Sequence, residues 1–190
     1  TVADAGNGKL NVSNTIKKSD YTVDAIAFEN IYKGVIDISG SKTWNDADNQ
    51  DGIRPASITV KLFANGTEAA SQVVTPDEAG NWNYVFKNLP QYDAKGKITY
   101  TVTESAVAGY ETSVSGYNIT NTHKPATLDI TGTKTWNDSN NQDGKRPKSI
   151  TVNLLANGII TDTKTVTADD NWTYSFTDLP KYANGQEITY

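Results

Sequence analysis

The sequence predicts an all-β protein made of sandwich domains arranged in tandem. Threonine, valine, isoleucine and tyrosine are concentrated in runs that alternate apolar and polar residues, which is the period of a half-buried strand. Turn signals separate these runs, among them Asn65-Gly66, Gly80-Asn81 and Asn157-Gly158. No stretch has a convincing helical period, so short strands joined by turns favour a β-sandwich.

Residues 1–34 are predicted to be the C-terminal part of a preceding domain. Within residues 24–33, Ile26, Phe28 and Asn30 share one face of a predicted strand. This segment precedes the first long repeat in the same way that residues 119–124 precede the second. We therefore expect residues 24–33 to form the closing strand of that earlier domain.

Three predicted strands place a polar residue on a face that is otherwise apolar: Lys42, Glu104 and Asn121. The residues in phase with them are Ile36, Ile38 and Trp44 for Lys42, Ile98, Tyr100 and Val102 for Glu104, and Tyr117 and Ile119 for Asn121. Any one of them alone could sit at a strand end and reach solvent. Together, an amine, a carboxylic acid and a carboxamide on inward faces are the reactants for a spontaneous Lys–Asn isopeptide bond.

A long internal repeat defines the remaining domains. Residues 42–66 recur as residues 134–158 with 19 of 25 positions identical, and residues 81–90 and 98–100 recur as 171–180 and 188–190. A period near 90 residues is too long for a solenoid repeat and fits tandem small domains. We predict a complete domain at residues 35–125 and a truncated second copy at 126–190, which stops before the positions matching Glu104 and Asn121.

Charge and composition exclude several classes of partner. The net charge of −5 and the pI near 4.8 argue against a nucleic acid or an anionic membrane surface, because both select basic patches. No apolar run is long enough to span a bilayer. The chain has no cysteine, although small secreted domains often depend on disulfides. An isopeptide bond would supply a covalent link of a different kind.

Two acidic loops, residues 46–52 and 138–144, superficially look like calcium loops. Their glycines fall one place late for an EF-hand, and Ser57 and Ser149 stand where a bidentate glutamate is required. We interpret both loops as Asx turns between strands and predict no metal ion and no cofactor.

The remaining candidate residues have simpler interpretations. His123 is the only histidine, so a transition-metal site is disfavoured and we expect an exposed linker residue. The tryptophans occupy repeated strand positions and are predicted to pack in the core or between strands; they are Trp44, Trp82, Trp136 and Trp172.

The order of motifs closely resembles the collagen-adhesin B-type (CnaB) domain of Gram-positive surface proteins. The motifs are Gly-x-Lys-Thr-Trp-Asn-Asp, Asn-Gln-Asp-Gly-x-Arg-Pro, Asn-Trp-x-Tyr-x-Phe-x-x-Leu-Pro, Tyr-Thr-Val-Thr-Glu and Ile-Thr-Asn-Thr. All of them lie within residues 35–125, and the first three recur within 126–190. Residues 4–10 and 28–32 are similar to the end of a streptococcal-pilin isopeptide-linkage domain.

The resemblance implies tandem inverse immunoglobulin-like β-sandwiches whose first and last strands are covalently joined. It implies that Lys42 is the nucleophile, Asn121 the electrophile and Glu104 the assisting acid. Asn30 and Lys134 would be partial sites, each with its partners outside the chain.

The sequence therefore predicts a stalk or spacer segment of an extracellular, cell-wall-anchored adhesin or pilus. Its partners would be neighbouring domains of the same polypeptide, with a host extracellular-matrix protein contacted through other domains. Bond formation would occur once per molecule, so the protein would not be an enzyme. The alternative is that these domains themselves bind a host ligand, which would require an exposed apolar patch that differs between the copies, and the sequence shows none clearly.

Overall fold

The computed structural model describes residues 2–4, 9–12, 28–31 and 34–190. The regular elements in these ranges are β-strands, as predicted, and the described residues contain no helix suited to crossing a membrane. The strands are β1 (Val2–Asp4), β2 (Lys9–Val12), β3 (Phe28–Ile31), β4 (Val35–Asn45), β5 (Ile58–Ala64), β6 (Thr67–Val74), β7 (Trp82–Pro90), β8 (Tyr92–Asp93), β9 (Gly96–Lys97), β10 (Tyr100–Glu104), β11 (Glu111–Ser115), β12 (Asn118–Thr122), β13 (Thr127–Thr133), β14 (Ser149–Ala156), β15 (Ile159–Thr167), β16 (Thr173–Pro180), β17 (Tyr182–Ala183) and β18 (Gln186–Glu187).

The chain divides into two compact units. Unit 1 comprises Thr1–Trp44 and Pro55–Thr122, and unit 2 comprises Asn45–Arg54 and His123–Tyr190. Unit 2 therefore contains a ten-residue loop that comes from the first sequence repeat. This division differs from the predicted boundaries at residues 45–54.

Unit 1 contains a sandwich of two sheets. One sheet has the order β11-β12-β4-β7 and the other has the order β10-β5-β6, while β1, β2 and β3 form a separate small sheet. The apolar core draws residues from both sandwich sheets, which shows that their inner faces pack together. Its buried members are Ile38, Ile58, Val60, Leu62, Val74, Trp82, Tyr84, Phe86, Tyr100, Val102 and Ile119.

Strict alternation explains why these residues are buried. In β7, Trp82, Tyr84 and Phe86 point inward while Asn83 is exposed, and β5 and β10 alternate in the same way. In β4 the pairing with β7 shifts between Ile36 and Ile38, and the strand then keeps an alternation that buries Ile38 and Lys42.

Unit 2 repeats half of this architecture. Strands β13 and β16 pair as β4 and β7 do, β14 and β15 pair as β5 and β6 do, and β17 and β18 form a small hairpin. Each of these sheets has two strands among the described residues. Fewer core residues are fully buried than in unit 1, namely Leu154, Val166 and Phe176.

The tryptophans pack in edge-to-face pairs, which confirms the prediction for them. The ring centroids of Trp44 and Trp82 lie 5.4 Å apart, and those of Trp136 and Trp172 lie 5.1 Å apart.

Candidate functional site

The three polar residues of interest come from three strands of unit 1. Lys42 lies on β4 and Asn121 on β12, which are neighbours in one sheet, whereas Glu104 ends β10 in the opposite sheet. All three side chains point into the sandwich: those of Lys42 and Glu104 are 0% exposed, and Asn121 is 0% exposed as a residue. The site is therefore formed by strands far apart in sequence.

Two hydrogen bonds, one to a side chain and one between backbone groups, show that β4 and β12 run parallel. The Ser41 amide donates to Asn118 Oδ1 at 3.1 Å, and further along both strands the His123 amide donates to the Asn45 carbonyl at 2.9 Å. Residue numbers therefore increase in the same direction on the two strands. Lys42 and Asn121 lie between these two contacts, on adjacent strands and on the same buried face.

Glu104 reaches Lys42 across the core. Lys42 Nζ lies 2.8 Å from Glu104 Oε1. The two atoms form a buried ion pair, whereas neither Nδ2 nor Oδ1 of Asn121 has a hydrogen-bond partner among the described residues. Buried polar groups are nearly always hydrogen-bonded, so an unpaired carboxamide beside a buried ion pair is exceptional.

Thr112 completes the cluster, and sequence analysis did not identify it. Its hydroxyl donates to Glu104 Oε2 at 2.9 Å, and it is the cross-strand partner of Asn121 in the β11–β12 hairpin. A two-residue turn at Gly116-Tyr117 pairs Ser115 with Asn118 and fixes that register. Recognising this turn in the sequence would have paired Thr112 with Asn121.

Burial controls the protonation of Lys42. Removal from water lowers the pKa of the Lys42 ammonium, and this effect outweighs the opposing influence of Glu104. The amine also lies 4.4 Å from the centre of the Trp44 ring, a contact that favours the charged form. The net shift increases the fraction of neutral, nucleophilic amine at neutral pH.

A glycine and a tyrosine fix β12 beside β4. Tyr84 on β7 pairs with Gly40, and its hydroxyl donates to the Tyr117 carbonyl at the start of β12. Any Cβ at Gly40 would overlap both the Tyr84 ring and the Tyr117 carbonyl. Burial raises the pKa of the Tyr84 hydroxyl to about 12, so the donor keeps its proton.

The partial sites have different surroundings. Lys134 occupies the position in unit 2 that corresponds to Lys42 and is exposed, with Nζ 4.7 Å from the centre of the Trp136 ring. Asn30 lies on β3, where its backbone pairs with Leu10, and its side chain lies outside the described part of the structure.

The two acidic loops are turns held by side-chain hydrogen bonds, as interpreted from the sequence. Asp46 accepts from Arg54 through both carboxylate oxygens, at 2.6 and 3.0 Å, and from the Asn49 amide at 3.0 Å. Asp138 makes the same contacts with Arg146 and the Asn141 amide. Among the described residues, no group of three or more histidine, cysteine, aspartate or glutamate side chains could hold a metal ion.

The prediction that His123 is an exposed linker residue was wrong, because its Nε2 lies 2.9 Å from the buried Asp51 carboxylate. Exposed apolar residues also differ between the copies: Leu155, Ile159 and Ile160 are exposed on β14 and β15, whereas the first copy has Thr67 and Glu68 at the positions of the two isoleucines. The hairpin register places Leu155 opposite Ile160, whereas Ile159 pairs with Ala156 and faces the other side of the sheet.

Comparison with known proteins relates both repeats to one family. The family described as Cna protein B-type domain matches residues 38–122 and 130–190. A protein named collagen adhesin from Staphylococcus aureus is 47% identical over 154 residues, which is 80% of this chain and 13% of that protein. The chain therefore spans a small part of this relative.

Two crystal structures from the collagen-binding surface protein of Staphylococcus aureus are also similar. A single B repeat unit (B1) is 44% identical, covers 82% of each chain and has a TM-score of 0.46. A pair of B repeat units (B1B2) is 40% identical, covers 95% of this chain and 50% of that chain, and has a TM-score of 0.48. Because the family matches most of both sequence repeats, the chain belongs to the Cna protein B-type domain family.

Proposed function

We propose that this chain is a stalk segment of a surface adhesin or pilus, stabilised by an isopeptide bond between Lys42 and Asn121. The observation that supports it best is the buried cluster in unit 1, where a lysine amine, a glutamate and an asparagine side chain without a hydrogen-bond partner among the described residues share the sandwich interior. A structural cluster would be expected to satisfy these atoms with hydrogen bonds. A reactive cluster would instead place a lysine amine beside an asparagine carboxamide that has no hydrogen bond to lose.

The chemistry needs no external reagent. The neutral Lys42 amine attacks the Asn121 Cγ carbon, a new C–N bond forms, and the bond from Cγ to Nδ2 breaks. The carboxyl group of Glu104 assists by relaying a proton from Nζ to the departing nitrogen, which leaves as ammonia. Fixed geometry contributes an effective concentration on the order of 10⁵ M or more. The reaction occurs once, so the protein acts as its own substrate and not as an enzyme.

The mechanical benefit follows from the topology. β4 is the first strand and β12 the last strand of the sandwich, and they lie side by side. Tension along a tandem chain enters near the first strand and leaves near the last. A covalent bond between them would transmit that tension without loading the strands between.

The same proposal covers the other segments. Residues 1–34 would end a preceding pilin-type isopeptide domain with Asn30 as its acceptor, residues 35–125 would be a complete domain, and residues 126–190 would be part of a second domain with Lys134 as its nucleophile. The relation to a collagen adhesin supports an extracellular location on a Gram-positive cell wall. Host-matrix binding would then belong to other domains of the parent protein.

Intact-mass measurement tests the bond directly. The wild-type chain is expected to weigh less than its sequence mass by one ammonia molecule. Lys42→Ala, Glu104→Ala and Asn121→Ala should each restore the sequence mass of the variant, whereas Lys134→Ala should retain the deficit. A wild-type chain at its full sequence mass would overturn the proposal.

Thr112 is expected to affect the rate of the reaction. Thr112→Val removes the hydrogen bond that orients Glu104 and keeps the side-chain volume, so cross-linking of newly synthesised chain should slow about tenfold, equivalent to one hydrogen bond of ~1.4 kcal/mol. Timed mass spectra measure the cross-linked fraction. Thr112→Ser keeps the hydroxyl and should react at nearly the wild-type rate; equal rates for serine and valine would exclude this role.

A second candidate function is direct binding of a host ligand by these domains. The exposed cross-strand pair Leu155 and Ile160 favours it, because exposed apolar surface marks interaction sites. The double variant Ile159→Thr/Ile160→Glu copies the residues of the first repeat and is a matched control. Collagen binding by the wild-type chain that this variant loses would support the binding function over a spacer.

A further inference from the structure

The loop at residues 45–54, here called loop A, is bound to other parts of unit 2. Asp51 Oδ2 accepts from the Ala126 amide at 2.8 Å and lies 2.9 Å from His123 Nε2. The Gln50 carbonyl accepts from the Gly185 amide at 2.9 Å. Loop A therefore contacts both the connector at residues 123–126 and the turn of the β17–β18 hairpin.

The contact with the hairpin requires glycine on both sides. A Cβ at Gly52 would overlap the Gly185 backbone, and a Cβ at Gly185 would lie 3.0 Å from Gly52 Cα. The corresponding hairpin of the first repeat, β8–β9, has Lys95 at the position of Gly185. A lysine at this position would prevent the same close approach. Only a hairpin with glycine there, such as β17–β18, can therefore pack against the loop in this way.

The loop at residues 137–146, here called loop B, has the same internal construction as loop A. Arg146 clamps Asp138 at 2.6 and 2.9 Å, and the Arg146 amide donates to Asn141 Oδ1 at 2.9 Å, matching the contacts of Arg54 in loop A. The backbone also agrees: Gly144 has φ +64° where Gly52 has φ +69°. Loop B is thus preformed in the shape that makes contacts in loop A.

Loop B nevertheless makes none of the equivalent contacts with any other residue that the structure describes. Asp143 corresponds to Asp51 and is exposed, and nothing lies within 4 Å of a Cβ built on Gly144. A surface cavity lies against the loop, lined by Trp136, Asp138, Asn141, Asp143 and Arg146 among others.

We infer that loop B is a docking surface for a further repeat of the same kind. The partner is a repeat that offers a free connector amide to the Asp143 carboxylate and a glycine at the hairpin turn to Gly144. Each of these contacts corresponds to one that loop A makes through Asp51 or Gly52. Loop B would therefore bind the further repeat in the way that loop A binds the connector and the β17–β18 hairpin. This inference does not depend on the isopeptide bond, since no residue of the cross-link site takes part.

An extended chain tests the inference. Ile98-Thr99-Tyr100 matches Ile188-Thr189-Tyr190, so residues 101–190 can be joined directly after Tyr190 to complete the second copy and add a third. Hydrogen exchange of the residue 137–146 amides should slow at least about tenfold relative to the original chain. Asp143→Ala should reverse this protection in the extended chain and change little in the original one.

Gly185→Lys provides the matched control, because it installs the residue of the first repeat. In the original chain, Gly185→Lys should accelerate hydrogen exchange of the Ala126 amide and of the amides of residues 45–54. Unchanged exchange would show that the hairpin contact does not hold loop A. That result alone would overturn the inference, before any experiment on the extended chain. In the extended chain, the same change in the third copy should abolish protection of loop B. Equal exchange with glycine and lysine there would also overturn it.

Discussion

Asn121→Ala is expected to convert unit 1 from a domain that does not extend under force into one that unfolds and extends. The proposed bond encloses about 80 residues between Lys42 and Asn121, and a fully extended chain spans ~3.4 Å per residue, so the variant should release about 270 Å of additional length. Single-molecule pulling from the two ends of the chain measures this length. A wild-type chain that releases the same length would contradict a covalent bond between β4 and β12.

The same substitution is expected to reduce equilibrium stability. Closing a loop of about 80 residues contributes roughly 4–5 kcal/mol by the chain-entropy estimate used for disulfides. For a domain of about 100 residues, a loss of that size lowers the melting temperature by about 20 °C. Calorimetry provides the measurement.

Asn118→Ala is the matched control for both experiments, because Asn118 is the same residue type on the same strand but is exposed. It loses hydrogen bonds to Ser41 and leaves the cross-link site intact. Its effect should be small, and a fall in melting temperature as large as that of Asn121→Ala would assign the loss to strand pairing.

Arg54→Ala is expected to destabilise the protein far more than Arg146→Ala, although the two arginines make the same hydrogen bonds to the corresponding aspartates. The Asp46 side chain is 1% exposed, whereas that of Asp138 is 29% exposed. Removal of Arg54 leaves a buried carboxylate without its cation, at a cost of about 3 kcal/mol. Solvent can replace Arg146 at the more exposed Asp138, so its loss costs less.

Urea unfolding of the two variants measures this difference. The double variant Asp46→Asn/Arg54→Ala should recover part of the lost stability, because it no longer buries a charge. Equal losses for Arg54→Ala and Arg146→Ala would show that burial of the aspartate does not determine the effect.

Much of the fold could be predicted because alternation of residue type directly reflects strand burial. The apolar positions of β5, β7 and β10 have the period that sequence analysis assigned to them, and the two copies repeat the same strand pairs. The same alternation identified Lys42, Glu104 and Asn121 as inward-facing. A local pattern is sufficient here, because the face of a strand on which a residue lies depends on its neighbours in sequence.

Contacts between strands could not be obtained in this way. Thr112 orients Glu104 only because the β11–β12 register pairs it with Asn121, and His123 is held by Asp51, 72 positions earlier. Sequence analysis missed Thr112 and predicted an exposed His123 for the same reason. Neither contact has a local periodic signal.

The amino-acid sequence by itself determined which residue types face inward and that the candidate lysine occurs twice, as Lys42 and Lys134. Only the tertiary structure decided what surrounds each lysine. Lys42 is covered by β10 and flanked by β12, whereas the β13–β16 sheet presents Lys134 to solvent. Desolvation by the whole sandwich lowers the pKa of the Lys42 amine, so its protonation depends on neighbouring strands as well as on the motif in which it lies.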